Sequence, residues 1–206
     1  MQSQFVSSRI ESCEAYRRNA GRDAKKVADV PHRFCYRTHK DTSAIIFPKT
    51  TTERRRYVPC GYTQADTIIN VDAFAVYDAD LSIFSLLSSR MHVVWFSTTS
   101  GKLRTGHRYS VKMSYNTFPA PGNIEKYRDK LIASGLNILS VRENYPERNL
   151  AELYDPDKMP SDLLLAHKEN DDLVESIYSS QGFLSDEDRL EAMFHIYENM
   201  NGSKDA

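Results

Sequence analysis

Phe118-Pro119-Ala120-Pro121-Gly122 divides this 206-residue chain into two unlike parts. Two prolines and a glycine within five residues suit neither a helix interior nor a central strand, so regular structure stops here. The charge changes sign at the same place. Residues 1–122 carry 18 Lys and Arg against 10 Asp and Glu, a net +8. Residues 123–206 carry 9 against 18, a net −9, and the overall value of −1 hides the contrast. A basic front and an acidic back predict two domains, 1–122 and 123–206, with different partners. A basic unit of this size is a candidate polyanion binder, although chance segregation of solvated charges gives the same count.

Just before the break, Tyr109, Val111, Met113 and Tyr115 alternate with Arg108, Ser110, Lys112, Ser114 and Asn116. This predicts a strand over 108–118 with one core face and one polar, partly basic face. Further upstream, Leu81, Phe84, Leu87, Met91, Val94 and Trp95 recur every three or four residues and predict one helix over 80–97. Residues 32–37, 44–47, 57–62 and 67–77 are short β-branched and aromatic runs between turn residues, and predict strands. Residues 5–30, rich in Glu, Ala, Arg and Lys and closed by Pro31, predict a first helix. Beyond the break every periodic run is helical. Asn123 is placed to cap a helix, 150–154 is a short Pro-bounded one, and Pro160 opens a third that carries His167, Val174 and Ile177. Ser185 caps a last helix with Leu190, Met193, Phe194 and Tyr197 on its apolar stripe. The predicted class is α+β, a mixed strand and helix region followed by an all-helical unit.

Signatures of chemistry are missing. There is no Gly-rich phosphate loop, no H-E-x-x-H and no G-x-S-x-G. Cys13, Cys35 and Cys60 are widely spaced and odd in number, which suggests neither a metal site nor a disulfide framework. Asp155-Pro156-Asp157-Lys158 lacks the spacing of a calcium loop. Asn116-Thr117-Phe118-Pro119 resembles the Asn-Pro-Pro-aromatic base-holding loop of amino-methyltransferases only poorly, because the Pro-Pro pair is absent. No catalytic residue is assigned. No apolar run reaches the roughly 18 residues of a membrane span, and the N-terminus lacks a signal-peptide pattern, so an intracellular, cytoplasmic protein is expected.

Two basic clusters remain. Glu53-Arg54-Arg55-Arg56 lies between predicted strands, and Gly101-Lys102-Leu103-Arg104-Thr105-Gly106-His107-Arg108 lies between a helix and a strand. An arginine in the second can reach guanine O6 and N7 with a two-pronged hydrogen bond, while nearby cations hold phosphates. Lys102, His107, Lys112, Arg54, Arg55, Arg56 and Arg90 are the expected phosphate contacts. A solvated hairpin edge is the competing reading. His92 and His167, among apolar helix neighbours, are expected to be structural.

Several phrases together resemble a known family. They are Thr51-Thr52-Glu53-Arg54-Arg55-Arg56-Tyr57-Val58-Pro59, Leu87-Ser88-Ser89-Arg90-Met91-His92-Val93-Val94-Trp95, Gly101-Lys102-Leu103, Arg108-Tyr109-Ser110, Tyr115-Asn116-Thr117-Phe118-Pro119, Leu153-Tyr154-Asp155-Pro156, Met159-Pro160 and Ala166-His167. In this order they are similar to the MmeI-type (type IIL) restriction–modification enzymes. The resemblance implies the latter part of a target recognition domain followed by the helical C-terminal domain. Nuclease and adenine methyltransferase parts would lie upstream. It also implies base-reading positions at Arg104, Gly106 and Arg108, with Gly106 bare where relatives carry a polar side chain, and a second specificity region near 70–74. Ala120 departs from a tryptophan common at that position. No cofactor is expected within these residues. S-adenosylmethionine, and magnesium for a nuclease part, belong to the full-length parent. Expected partners are double-stranded DNA and the upstream methyltransferase domain, on a monomeric chain, and the acidic third is expected to pack rather than bind. The alternatives are a protein-interaction module without DNA contact and a free-standing small methyltransferase.

Overall fold

The first helix ends early, where Ala20 turns extended after Asn19. The computed structural model describes residues 3–103 and 106–202. It has α1 (Gln4–Asn19), then α2 (Arg22–Lys25) and irregular chain to residue 40. The single helix expected over 5–30 is thus two pieces, and residues 32–37 form no strand. Arg17 donates to the Val27 and Val30 carbonyls, which folds this segment on itself as a compact unit of residues 1–40.

Residues 41–206 form the second unit. Its strands make two antiparallel sheets of three. One has the order β3 (Gly61–Thr63), β1 (Ala44–Pro48), β4 (Ala73–Tyr77). The other has the order β2 (Thr50–Thr52), β6 (Gly106–Arg108), β5 (Gly101–Leu103). Only Lys49 separates β1 from β2, so the two sheets share one run of chain.

The helix expected over 80–97 is α3 (Leu81–Leu87) and α4 (Arg90–Thr99). Asp80 caps the first by accepting from Ser82 N. Ser89 breaks the pair: its hydroxyl donates to Leu86 O and accepts from His92 N, a local bond that competes with the helical ladder. The expected strand over 108–118 is also corrected. β6 stops at Arg108, and Val111–Tyr115 is a single π-helical turn. Ser110 starts it by accepting Met113 N at 3.2 Å, and Asn116 N closes it on Val111 O at 2.9 Å. Apolar alternation gives way to a capping hydroxyl, and Met113 faces solvent.

The helices after the break are α5 (Arg128–Arg142), α6 (Leu150–Leu153), α7 (Ser161–Tyr178) and α8 (Asp186–Gly202). Asn123 makes no capping bond, and a 3-10 turn (Ile124–Tyr127) leads into α5 instead. Ser185 does cap α8, and Asp188 returns the bond to Ser185 N. The fold is α+β, a mixed front followed by a helical back. Residues 41–206 nevertheless form one compact unit that includes the Pro-rich break. The reason is packing across that break. One core cluster joins Ile45, Phe47, Phe84 and Phe96 to Ile138, Leu153 and Leu163. A second joins Met91 and Trp95 to Leu131, Val174 and Met193. Gly135 lets α5 approach α3 closely, since a Cβ there would lie 2.8 Å from Leu81 O.

Candidate functional site

The β5–β6 hairpin carries the second basic cluster. Residues opposite one another are Gly101 and Arg108, Lys102 and His107, Leu103 and Gly106. Pairing of β6 with β2 then decides which way its side chains face. Thr51 and His107 lie opposite each other and point inward, and His107 is 8% exposed, with its ring edge-on to Phe96 at 5.7 Å. Thr50 and Arg108 lie opposite each other and are exposed, as is Lys102. His107, expected on phosphate, is therefore a wall of the core, and Arg108 is the outward residue. Gly106 sits against β2 so closely that a Cβ would lie 2.7 Å from Thr51 O. Its place in the sheet excludes a side chain. Arg104 lies outside the described residues.

The hairpin is clamped at the end of β6. Tyr109 N donates to Lys49 O at 2.9 Å, and its ring lies 4.2 Å from that of Phe47. Its hydroxyl bonds His92 Nε2 at 3.0 Å, and His92 Nδ1 bonds Leu87 O at 3.1 Å. A carbonyl only accepts, so Nδ1 carries the proton, and Nε2 accepts from Tyr109. The ring is neutral, and burial pushes its pKa down to about 4. As expected, His92 is structural. Its partner Tyr109 adjoins Arg108, so the clamp acts directly on the outward residue.

Lys112, on the π-helical turn, is exposed beside the hairpin. Arg54, Arg55, Arg56 and Arg90 gather elsewhere, at the turn after β2 and the start of α4. Arg54 faces Asp157 at 2.7 Å, and Arg55 donates to the Tyr154 and Ala151 carbonyls. Arg90 is held by Asp186 and by Arg56 O. These expected phosphate contacts thus have protein partners, drawn largely from the acidic third.

Sequence reasoning missed a buried polar network on α5 and α7. Asp171 accepts from Tyr57 OH at 2.6 Å and from Arg90 N at 2.7 Å. Burial lifts its pKa to about 6, against the opposing bonds from Tyr57 and Arg90. Asn170 accepts from Ser85 and Ser134 and donates to Ser85 O. Arg142 donates to Cys60 O at 2.7 Å and to Tyr154 OH, whose own hydroxyl proton is donated in a hydrogen bond to His167 Nε2 at 2.6 Å. Burial foremost, and then Arg142, push His167 down to about 3. Among the described residues no group of three or more His, Cys, Asp or Glu is arranged to hold a metal ion. No helix there is long and apolar enough to cross a membrane.

Comparison with known proteins places this architecture. Residues 1–122 match the family described as "MmeI, target recognition domain" and residues 124–203 match "MmeI, C-terminal domain". The chain belongs to the MmeI family. DNA methyltransferase A of Bacillus subtilis (strain 168) is 36% identical to it over 198 residues, which are 95% of this chain and 22% of that protein. A solved type IIL restriction–modification enzyme, MmeI in complex with DNA, superposes with a TM-score of 0.87 at 34% identity, over 96% of this chain and 26% of that one. The chain therefore spans about a quarter of the length of these two proteins.

Proposed function

We propose that this chain is the DNA-reading module of a site-specific adenine DNA methyltransferase of the restriction–modification type. Recognition is assigned to residues 1–122, with the helical residues 123–206 as support. The carrying observation is the clamped β5–β6 hairpin, which turns Arg108 outward while His107 and Tyr109 anchor it inward. An arginine held so firmly suits a two-pronged bond to guanine in the major groove. Lys102 and Lys112, exposed alongside, contact phosphates and set the register. The likeness to an enzyme solved with DNA supports this reading. The upstream part of the polypeptide receives the target base and transfers the methyl group from S-adenosylmethionine.

The chain is expected to bind random duplex DNA at low ionic strength, with log affinity falling linearly as log salt rises. Fluorescence anisotropy measures both quantities. Absence of binding even at about 50 mM salt would contradict the proposal, as it lies well within the range where phosphate contacts dominate. Titration calorimetry with S-adenosylmethionine tests the other class of function, since clear binding by this chain alone would mark a free-standing methyltransferase.

A further inference from the structure

Five arginines line one open cleft of about 450 Å³ between the turn after β2 and the start of α8. Arg54, Arg55 and Arg56 form one wall, and Arg90 and Arg189 the other, with Glu53 and Asp186 as the lining acids. Two lining acids face these five cations, and Asp157 and Glu175 pair with two of them from beside the cleft, so the uncompensated positive charge rests on the 54–56 wall.

The two walls are held differently. Arg90 and Arg189 are committed to protein carboxylates: Asp186 takes two N–H groups of Arg90, while Glu175 and Asp186 hold Arg189 at 2.7 and 3.3 Å. The run 54–56 keeps most of its charge. Arg55 donates to two carbonyls at 3.2 and 3.3 Å, and Arg56 donates to Tyr57 OH at 3.3 Å with its guanidinium 5.6 Å from that ring's centre. Such neutral partners orient a cation without cancelling it. Arg54 does have a carboxylate, Asp157, but the two side chains are 68% and 69% exposed. A pair so wet is worth little and exchanges readily for another anion. Three successive guanidinium groups, two of them steadied by neutral groups, suit the oxygens of a phosphodiester.

The place of the cleft in the fold favours one anion. Thr52, the last residue of β2, lies opposite Gly106 at the turn end of the hairpin. Arg54 is two residues further, so its Cα lies within about 8 Å of that of Thr52. The major groove is about 12 Å wide, so a hairpin lying in it brings the flanking phosphates within reach of this wall. We infer that the cleft holds a backbone phosphate of the same duplex that the hairpin reads. Residues 184–189, in the acidic part of the chain, then belong to the DNA-facing surface rather than to packing alone. This inference rests on the DNA-reading role proposed above.

The test uses the full chain and a random-sequence duplex of about 30 base pairs, a span of roughly three helical turns, followed by anisotropy over a salt series. Arg54→Gln and Arg56→Gln are each expected to weaken binding about five- to tenfold at low salt, equally for every sequence, and to flatten the salt slope by about one. Arg56→Lys, which keeps the charge, is expected to restore the slope. Wild-type slopes in both glutamine variants, with the wild-type chain still binding duplex, would overturn the cleft and leave the reading role standing. No duplex binding by the wild-type chain would overturn the reading role itself. A polyglutamate peptide that bound the wild-type chain and neither glutamine variant, without displacing duplex, would assign the cleft to an acidic protein partner and likewise overturn the inference.

Discussion

Arg142→Ala is expected to lower the unfolding free energy by about 3–5 kcal/mol, measured by urea denaturation at pH 7. The guanidinium is buried between sheet and helices, 5.3 Å from the centre of Phe84 and 4.9 Å from that of Tyr154. Truncation removes a charged hydrogen bond to Cys60 O, which costs about 1.5–3 kcal/mol. It also leaves a cavity among Phe84, Tyr154 and His167 that the packed helices do not close, and core truncations of this size cost about 2–5 kcal/mol. Arg142→Met is expected to recover a substantial part of the loss, because it refills the volume and removes a buried Nε that has no partner. A methionine variant no more stable than the alanine variant would show that the hydrogen bonds, and not the volume, dominate.

Acidification from pH 7 to pH 5 is expected to cost about 2–3 kcal/mol of stability. Three buried groups set the sign. His92 and His167 have folded pKa values of about 4 and 3, below the unfolded value of about 6.5. The unfolded chain therefore takes up their protons first, and stability falls once the pH drops below about 6.5, by about 2 kcal/mol for each histidine at pH 5. Asp171 acts in the opposite direction. Its folded pKa of about 6 lies above the unfolded value, so the folded state gains the proton first and recovers about 1 kcal/mol over the same interval. Two histidines outweigh one aspartate. His167→Gln, which can still accept from Tyr154, is expected to remove about half of the histidine contribution. Equal stability at pH 7 and pH 5 would mean that both histidines are hydrated in the folded state.

The order of the fold was legible in sequence because its punctuation is strong. Ser185 caps the helix that it precedes, as its place in the sequence suggests, and among the described residues every regular element after the Pro-rich segment is helical. The strand expected over 108–118 was not, because apolar alternation says nothing of the Ser110 hydroxyl that captures Met113 N. The buried network was hidden for a related reason. Leu163, His167, Asn170, Val174 and Ile177 follow one helical stripe, and all five are buried. A reading that follows the apolar stripe takes in His167 with its neighbours but skips Asn170 and the adjoining Asp171, which are buried with it. At the candidate site, charge and spacing marked the hairpin, while the facing of its residues depended on β2, over fifty positions away. That pairing turns His107 inward and Arg108 outward, and no local pattern carries it.

The central claim is that Arg108 reads a base pair from the clamped hairpin. Selection from a library of random-sequence duplexes, sequenced after binding to the chain, tests it most directly. The wild-type chain is expected to enrich a defined sequence. Arg108→Ala is expected to lose preference at one base pair of it, a discrimination worth about 1–3 kcal/mol, while retaining the rest. An unchanged preference at every position in the Arg108→Ala selection would contradict the account.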